Sequence, residues 1–218
     1  LLRHVDSQHQ TLLFSATLDG VVEGLVQRYQ HDPVHHEVAS PTVTVDKMTH
    51  RFLAVHEMDK VRVAAAIARS SGKVLAFTNT KRAADRLARS LGDEGVSAAA
   101  IHGDLRQGQR EQALKRFSEG KLKVLVATDV AARGLHIDDV DVVIHYEPAP
   151  DHKTYLHRSG RTARAGSAGL AVSLSLWNEE LHIKRLMKRI GVEQPITEMF
   201  SNDPRLADLV AWDPTADA

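Results

Sequence analysis

An α/β fold, with a parallel sheet covered by helices on both faces, is predicted by three features of the sequence. Short, continuous apolar runs recur through the middle of the chain, amphipathic helical patterns alternate with them, and small polar clusters follow the ends of the runs. Taken in order, Thr11 to Phe14 reads as a buried-type strand ending in Ser15-Ala16-Thr17. A helix follows, with Val22, Leu25, Val26 and Tyr29 on one face, and Asp32-Pro33 ends it. Ser40-Pro41-Thr42-Val43-Thr44 reads as an extended linker, because proline restricts the residue before it and small polar residues resist burial. Further strands are expected at 74–77, 96–101, 124–127, 142–145 and 170–176, mostly runs that lack alternation, as in sheets buried on both faces. Between them Val61, Ala64, Ala65 and Ala68, then Ala84, Leu87, Ala88 and Leu91, then Ile183, Leu186, Met187 and Ile190 keep helical spacing. The organisation expected is the end of a preceding domain at 1–38, a linker at 39–48, the main domain at 49–192 and an acidic tail at 193–218. The start in mid-pattern, without methionine, reads as a fragment of a longer protein.

Composition narrows the class. The 218 residues are enough to bury a core, and the absence of cysteine excludes a disulfide framework and fits a reducing compartment. No apolar run approaches membrane-spanning length and no signal pattern opens the chain, so a soluble, cytoplasmic protein without a membrane partner is expected. Lys and Arg number 28 against 28 Asp and Glu, so overall charge says nothing of nucleic acid. Distribution says more: basic residues dominate between Lys60 and Arg116, whereas the tail after Glu193 is acidic apart from Arg205. With its Leu206, Leu209, Val210 and Trp212, that tail is either a packed terminal helix or an anchor for a protein partner.

The segment richest in chemistry is His157-Arg158-Ser159-Gly160-Arg161-Thr162-Ala163-Arg164-Ala165-Gly166. Arg161 and Arg164 are three apart, so a helical turn across them aims both guanidiniums the same way. Guanidinium is charged at every working pH and presents a planar fork to phosphate oxygens, which suits it to charge stabilisation in phosphoryl transfer. A solvated basic loop is the competing reading, and the ordered succession of residue types disfavours it. In a doubly wound sheet ligands sit at the carboxyl ends of the strands. Thr78-Asn79-Thr80, His102-Gly103-Asp104 and Thr128-Asp129 all fall there.

Rival motifs fail. Gly72-Lys73 lacks both the first glycine of a P-loop, replaced by Ile67, and its Ser/Thr, replaced by Val74. His56-Glu57 begins like a zinc-protease motif, but Lys60 stands at the second ligand position. His31, His35 and His36 lack a cysteine or carboxylate at ligand spacing, so no metal site is expected.

In order and spacing these segments resemble the C-terminal RecA-like domain of a DEAD-box RNA helicase, from superfamily 2, preceded by the last strand and helix of the N-terminal one. The resemblance runs from Thr11 to Gly191. Ser15-Ala16-Thr17 is similar to motif III, 74–80 to motif IV, Gln107 to Arg110 to the QxxR element, 127–135 to motif V, and 157–166 to motif VI, whose leading His157 favours the RNA branch. The resemblance implies ATP bound between two RecA-like domains, with Mg2+ held by the N-terminal one, and Arg161 and Arg164 as arginine fingers. It implies ATP contacts at Gly134, His136 and Asp138. An RNA path is implied over Thr78, Asn79, Gly103, Gln107, Arg110, Thr128, Arg133 and Gly134, with coupling between domains through Ser15, Thr17, Asp129, His157 and Arg158. It also assigns Phe77 to the support of the motif VI arginines. The partners implied are RNA and the N-terminal RecA-like domain of the same protein. Most family members carry aspartate where this chain has His136, so the ribose contact falls to a neutral imidazole with one acceptor or passes to Asp138. The alternative function is a non-catalytic RNA-binding or docking module that keeps the fold; arginines at both finger positions argue against it.

Overall fold

The structure, a computed structural model, describes residues 9–14, 21–36, 48–132, 137, 140–162 and 169–216. The chain divides into two compact units, Leu1–Thr42 and Val43–Ala218. In the first, helix α1 (Val21–Tyr29) buries Val26. The strand expected at residues 11–14 does not form: the backbone there has no regular structure, and Phe14 is 90% exposed. A strand is stable only beside another strand, and the described residues of this unit contain none to pair with it. Ser15 and Thr17 lie outside the described residues.

In the second unit the elements run β1 (Met48–Ala54), α2 (Lys60–Ser70), β2 (Val74–Phe77), α3 (Lys81–Asp93), β3 (Ala98–Ile101), α4 (Gln107–Ser118), β4 (Val124–Ala127), α5 (Asp129–Ala132), β5 (Val142–His145), α6 (His152–Ser159), β6 (Gly169–Ser175), α7 (Glu180–Ile190) and β7 (Thr197–Glu198). Short 3-10 turns cover Trp177–Glu179 and Pro204–Ala207. Seven strands form one sheet in the order β3-β4-β2-β5-β6-β1-β7, and every pairing is parallel. A parallel sheet needs crossovers that place helices on its faces, which is why the strand sequences do not alternate. Val74, Ala76, Val124, Val126, Val142 and Ile144 pack on one side with α2 and α3. Leu75, Phe77, Leu125, Ala127 and Val143 pack on the other with Ala113 and Phe117 of α4. A third cluster joins Phe52 of β1 to Tyr155 of α6 and to Ile183, Leu186 and Met187 of α7.

Local chemistry sets the element ends. Thr80 Oγ1 accepts the Ala83 N–H at 3.1 Å and caps α3, and Asp151 accepts the Thr154 N–H at 2.8 Å to cap α6. The expected strand from Val96 shortens to begin at Ala98, because the Val96 N–H closes the end of α3 on the Leu91 carbonyl at 2.8 Å, next to Gly95 at φ 76°. At the far end of β6 the Leu176 N–H leaves the ladder and donates to Glu179 Oε2 at 2.8 Å.

Two regions exceed the sequence reading. Met48–Ala54 is a sheet strand where a linker and unassigned residues were expected. Its Arg51 holds the chain's last segment, donating from Nε to the Leu209 carbonyl at 2.8 Å and from Nη2 to the carbonyls of Val210 and Trp212. Trp212 lies between the guanidiniums of Arg51 and Arg205, at 5.6 and 5.3 Å from its ring centre. Met199, Leu206 and Leu209 are buried in the core, so the acidic tail packs as turns rather than as the terminal helix that was one expectation.

Candidate functional site

The expected motifs converge where the sheet topology puts them. Thr78-Asn79-Thr80 directly follows β2, His102-Gly103-Asp104 follows β3, and Thr128-Asp129 follows β4, so all three lie at the carboxyl edge of adjacent strands. Arg158, 1% exposed although charged, joins the first and third of these loops to the loop after β5. Its Nε and Nη2 donate to the two carboxylate oxygens of Asp129 at 2.7 and 2.8 Å, in the fork-to-carboxylate pairing that only guanidinium makes. Nη2 also donates to Asn79 Oδ1 at 2.8 Å, and Nη1 to the Glu147 carbonyl at 2.9 Å. The guanidinium carbon lies 5.2 Å from the centre of the Phe77 ring. One buried arginine thus ties together the loops after β2, β4 and β5. The sequence-based role for Phe77 as a support for the motif VI arginines matches this contact.

Asn79 is exposed, yet its polar groups bond to partners within the protein. Its N–H donates to Glu147 Oε2 at 2.5 Å and its side-chain amide to the Pro148 carbonyl at 3.4 Å, while its Oδ1 accepts from Arg158. Thr78 is fully buried, and its hydroxyl donates to the Thr80 carbonyl at 3.2 Å. The sequence set both in the RNA path; here Thr78 is buried, and Asn79, at the surface, serves as one of the acceptors of the buried Arg158 guanidinium. Thr128 is largely buried, with its carbonyl accepting the N–H groups of Ala131 and Ala132 at 3.0 Å each as α5 begins.

Gln107 and Arg110 occupy the first turn of α4, as expected from their spacing. Gln107 is exposed and donates to Glu111 Oε1 at 2.8 Å; Arg110 Nη1 reaches Gln107 Oε1 at 3.5 Å. Arg110 Nε is buried without a hydrogen-bond partner. Gly103 is exposed, and a Cβ built there would meet nothing closer than Lys81 Cε at 3.8 Å. Packing within the fold therefore does not demand glycine at 103, which lies in the turn after β3. Next to it Lys81 Nζ pairs with Asp104 at 2.5 Å, holding that carboxylate below its usual range.

The arginine run spans β5 from end to end. Arg158 and Ser159 contact its carboxyl end, where His145 Nε2 and Ser159 Oγ share a hydrogen bond of 3.0 Å. Beyond α6 the backbone turns, with Arg161 N–H to the Arg158 carbonyl at 3.2 Å and Thr162 N–H to the Ser159 carbonyl at 3.0 Å. The Arg161 carbonyl then accepts the Val140 N–H at 3.4 Å, and Thr162 Oγ1 donates to the Asp141 carbonyl at 3.2 Å. Arg161 is thereby held through its backbone against Val140, before the start of β5. Its side chain is half-buried, and His157 is exposed. Arg164, Arg133, Gly134, His136 and Asp138 lie outside the described residues. Sequence reasoning missed Glu147 and His145, which carry no motif; their signal is spatial, in the register of β2 against β5, which pairs Phe77 with His145. Among the described residues no group of three or more His, Cys, Asp or Glu is gathered to hold a metal, and no helix is long and apolar enough to cross a membrane.

Comparison with known proteins agrees with this fold. Residues 57–166 match the family described as helicase conserved C-terminal domain. The chain is 41% identical over 175 residues to the DEAD-box ATP-dependent RNA helicase CshA of Bacillus subtilis, a match that covers 79% of the chain and 35% of that protein. Among solved structures, Dbp5 of S. cerevisiae bound to RNA and ADP BeF3 superposes with TM-score 0.73 at 30% identity, over 93% of this chain and 54% of that one. The E. coli DEAD-box protein SrmB, in complex with the regulator of ribonuclease activity A, gives TM-score 0.63 at 33% identity, over 70% of this chain and 89% of that one. The chain thus spans about a third of the length of the CshA protein it matches. With its parallel RecA-like sheet and its motifs in order, the chain belongs to the DEAD-box helicases of superfamily 2, as their C-terminal region.

Proposed function

We propose that the complete protein is an ATP-dependent RNA helicase to which this chain contributes the arginine fingers and part of the RNA backbone path. The observation that carries the reading is the bonding of the arginine run: Arg158 is bound to the loops after three strands, the Arg161 carbonyl accepts the Val140 N–H, and the next residue, Thr162, donates to the Asp141 carbonyl. A basic loop with no duty toward a ligand has no use for such fixing. In this reading Arg161 and Arg164 face the γ-phosphate, Gly134 with His136 or Asp138 contacts the ribose and nearby phosphates, and Mg2+ comes with ATP, held by carboxylates of the N-terminal RecA-like domain. The metal neutralises charge on the β- and γ-phosphates. Fixed guanidiniums act where charge develops during transfer and need no rearrangement as it does so.

RNA is placed along the carboxyl edge and the start of α4. Gln107, Arg110 and Gly103 are surface groups there, the reading adds Thr128, Arg133 and Gly134 from the motifs, and contacts of that kind bind phosphates without reading bases. Support comes from the spare room at Gly103 and from Dbp5, whose structure holds RNA. The test is RNA-stimulated ATP hydrolysis by the full-length protein. Arg161→Ala is expected to lower kcat by about 10³-fold or more while the protein stays folded. Hydrolysis at the wild-type rate in that variant would refute the finger assignment.

A further inference from the structure

We infer that Ser159 and His145 are positioning residues for the arginine run, acting through the hydrogen bond that joins the last residue of β5 to the last residue of α6. The inference rests on the proposed role of Arg161. Ser159 and His145 are both fully buried, and the bond between them lies in a polar pocket inside the core. The Tyr155 hydroxyl shares a 2.7 Å hydrogen bond with His50 Nδ1. The Tyr155 and His145 rings stack at 4.4 Å, with Phe52 on the far side of Tyr155 at 6.1 Å and Phe77 at 6.4 Å from His145.

Polar groups in such a place contribute little net stability, since well-packed apolar residues of the same size hold a core at least as well. What directional bonds supply is a single register. Ser159 sits at the centre of that register. Its hydroxyl is bound to β5, its carbonyl accepts the Thr162 N–H, and its neighbour Arg158 reaches the loops after β2 and β4. If α6 slid or turned on the sheet, the Ser159 to His145 bond would break together with the Arg158 fork. Apolar contacts alone tolerate a shift of that size. With the bond in place, Arg161, two residues on, starts from one fixed point. A misplacement of about 1 Å is enough to cost as much as a hundredfold in rate.

The experiment measures kcat, the KM for ATP and thermal melting of the full-length protein with saturating RNA, for Ser159→Ala, His145→Leu, the double variant and His145→Gln, with Arg161→Ala as reference. Glutamine places an amide near Nε2 and keeps the bond, whereas the first three variants remove it. The expected result is a fall in kcat of about tenfold to a hundredfold in Ser159→Ala and His145→Leu at unchanged KM, with no further loss in the double variant and recovery in His145→Gln. Wild-type kcat in the two single variants, beside an inactive Arg161→Ala, overturns the inference and leaves the finger role standing. So does a loss of kcat that merely follows the unfolded fraction at the assay temperature. An active Arg161→Ala instead refutes the functional reading and this inference with it.

Discussion

At the scale of single residues the site depends on a buried charge that the core accepts because it is paired and hydrogen-bonded. Arg158 uses four donations and an aromatic face, and its replacement by lysine would offer one compact ammonium to partners arranged for a planar fork. Asp129, about a quarter exposed, would regain some hydration, so the cost is expected near the lower end for a broken buried pair, about 3 kcal/mol. In thermal melting Arg158→Lys should lower Tm by roughly 6–12 °C. An unchanged Tm would show that the fork contributes nothing to the fold. His145 makes a second prediction. Burial, the Arg158 guanidinium and His50 all push its imidazole well below the ordinary value of 6.5, so the folded protein keeps it neutral. The unfolded chain takes up a proton near 6.5 that the folded one refuses, so the contribution is fully present above that pH and is lost as pH falls below it toward the depressed folded value. Urea midpoints between pH 7.5 and 5 should therefore fall less steeply for His145→Gln than for wild type, by up to about 1.4 kcal/mol per pH unit. Equal slopes would mean that His145 titrates alike in both states.

At the scale of elements, what could be read from sequence and what could not divide along physical lines. β2, β4 and β5 were legible to the residue because strands buried on both faces are uniform apolar runs. α3 and α7 were legible because one apolar stripe faces the sheet. β1 was not, since its His50 and Arg51 interrupt the apolar pattern and find their partners, Tyr155 and the carbonyls of Leu209 and Trp212, more than 100 residues away. The same distance hid the packing of the tail. Of the site, the carboxyl-edge loops and the arginine run were legible as motifs; the burial of Thr78 and the bond from Arg158 to Asn79 were not, because they follow from which strands become neighbours. α4 carries the prediction for RNA. With Gln107 and Arg110 in its first turn and exposed Arg106 before them, phosphate contacts there release counterions on binding. Arg110→Ala in the full-length protein should weaken binding of unrelated RNA sequences alike and reduce the slope of log affinity against log salt by about 1. A slope identical to wild type would take Arg110 off the RNA path.

At the scale of the whole molecule the question is how much of the reaction 218 residues can perform. The chain holds the arginine run but no phosphate-cradling P-loop, since Gly72-Lys73 lacks the residues that would complete one, and its described residues gather no metal-binding carboxylates. Phosphoryl transfer needs the β- and γ-phosphates cradled, the metal placed, the water oriented and the developing charge stabilised, and in the function proposed above the arginine run answers only to the last. Fingers without a cradle have nothing fixed to act on, because their gain of roughly 10³ to 10⁵ comes from interactions realised only in an assembled transition state. The purified 218 residues are accordingly expected to release no phosphate from ATP above background, with or without RNA, while keeping the melting transition of a folded domain. Joined in one chain to the N-terminal RecA-like domain of the same protein, they should hydrolyse ATP in response to RNA, and Arg161→Ala in that longer chain should remove the response. Steady hydrolysis by the 218 residues alone, unaffected by Arg161→Ala, would mean that the chain holds a nucleotide site of its own and that the division of labour argued from its motifs is wrong.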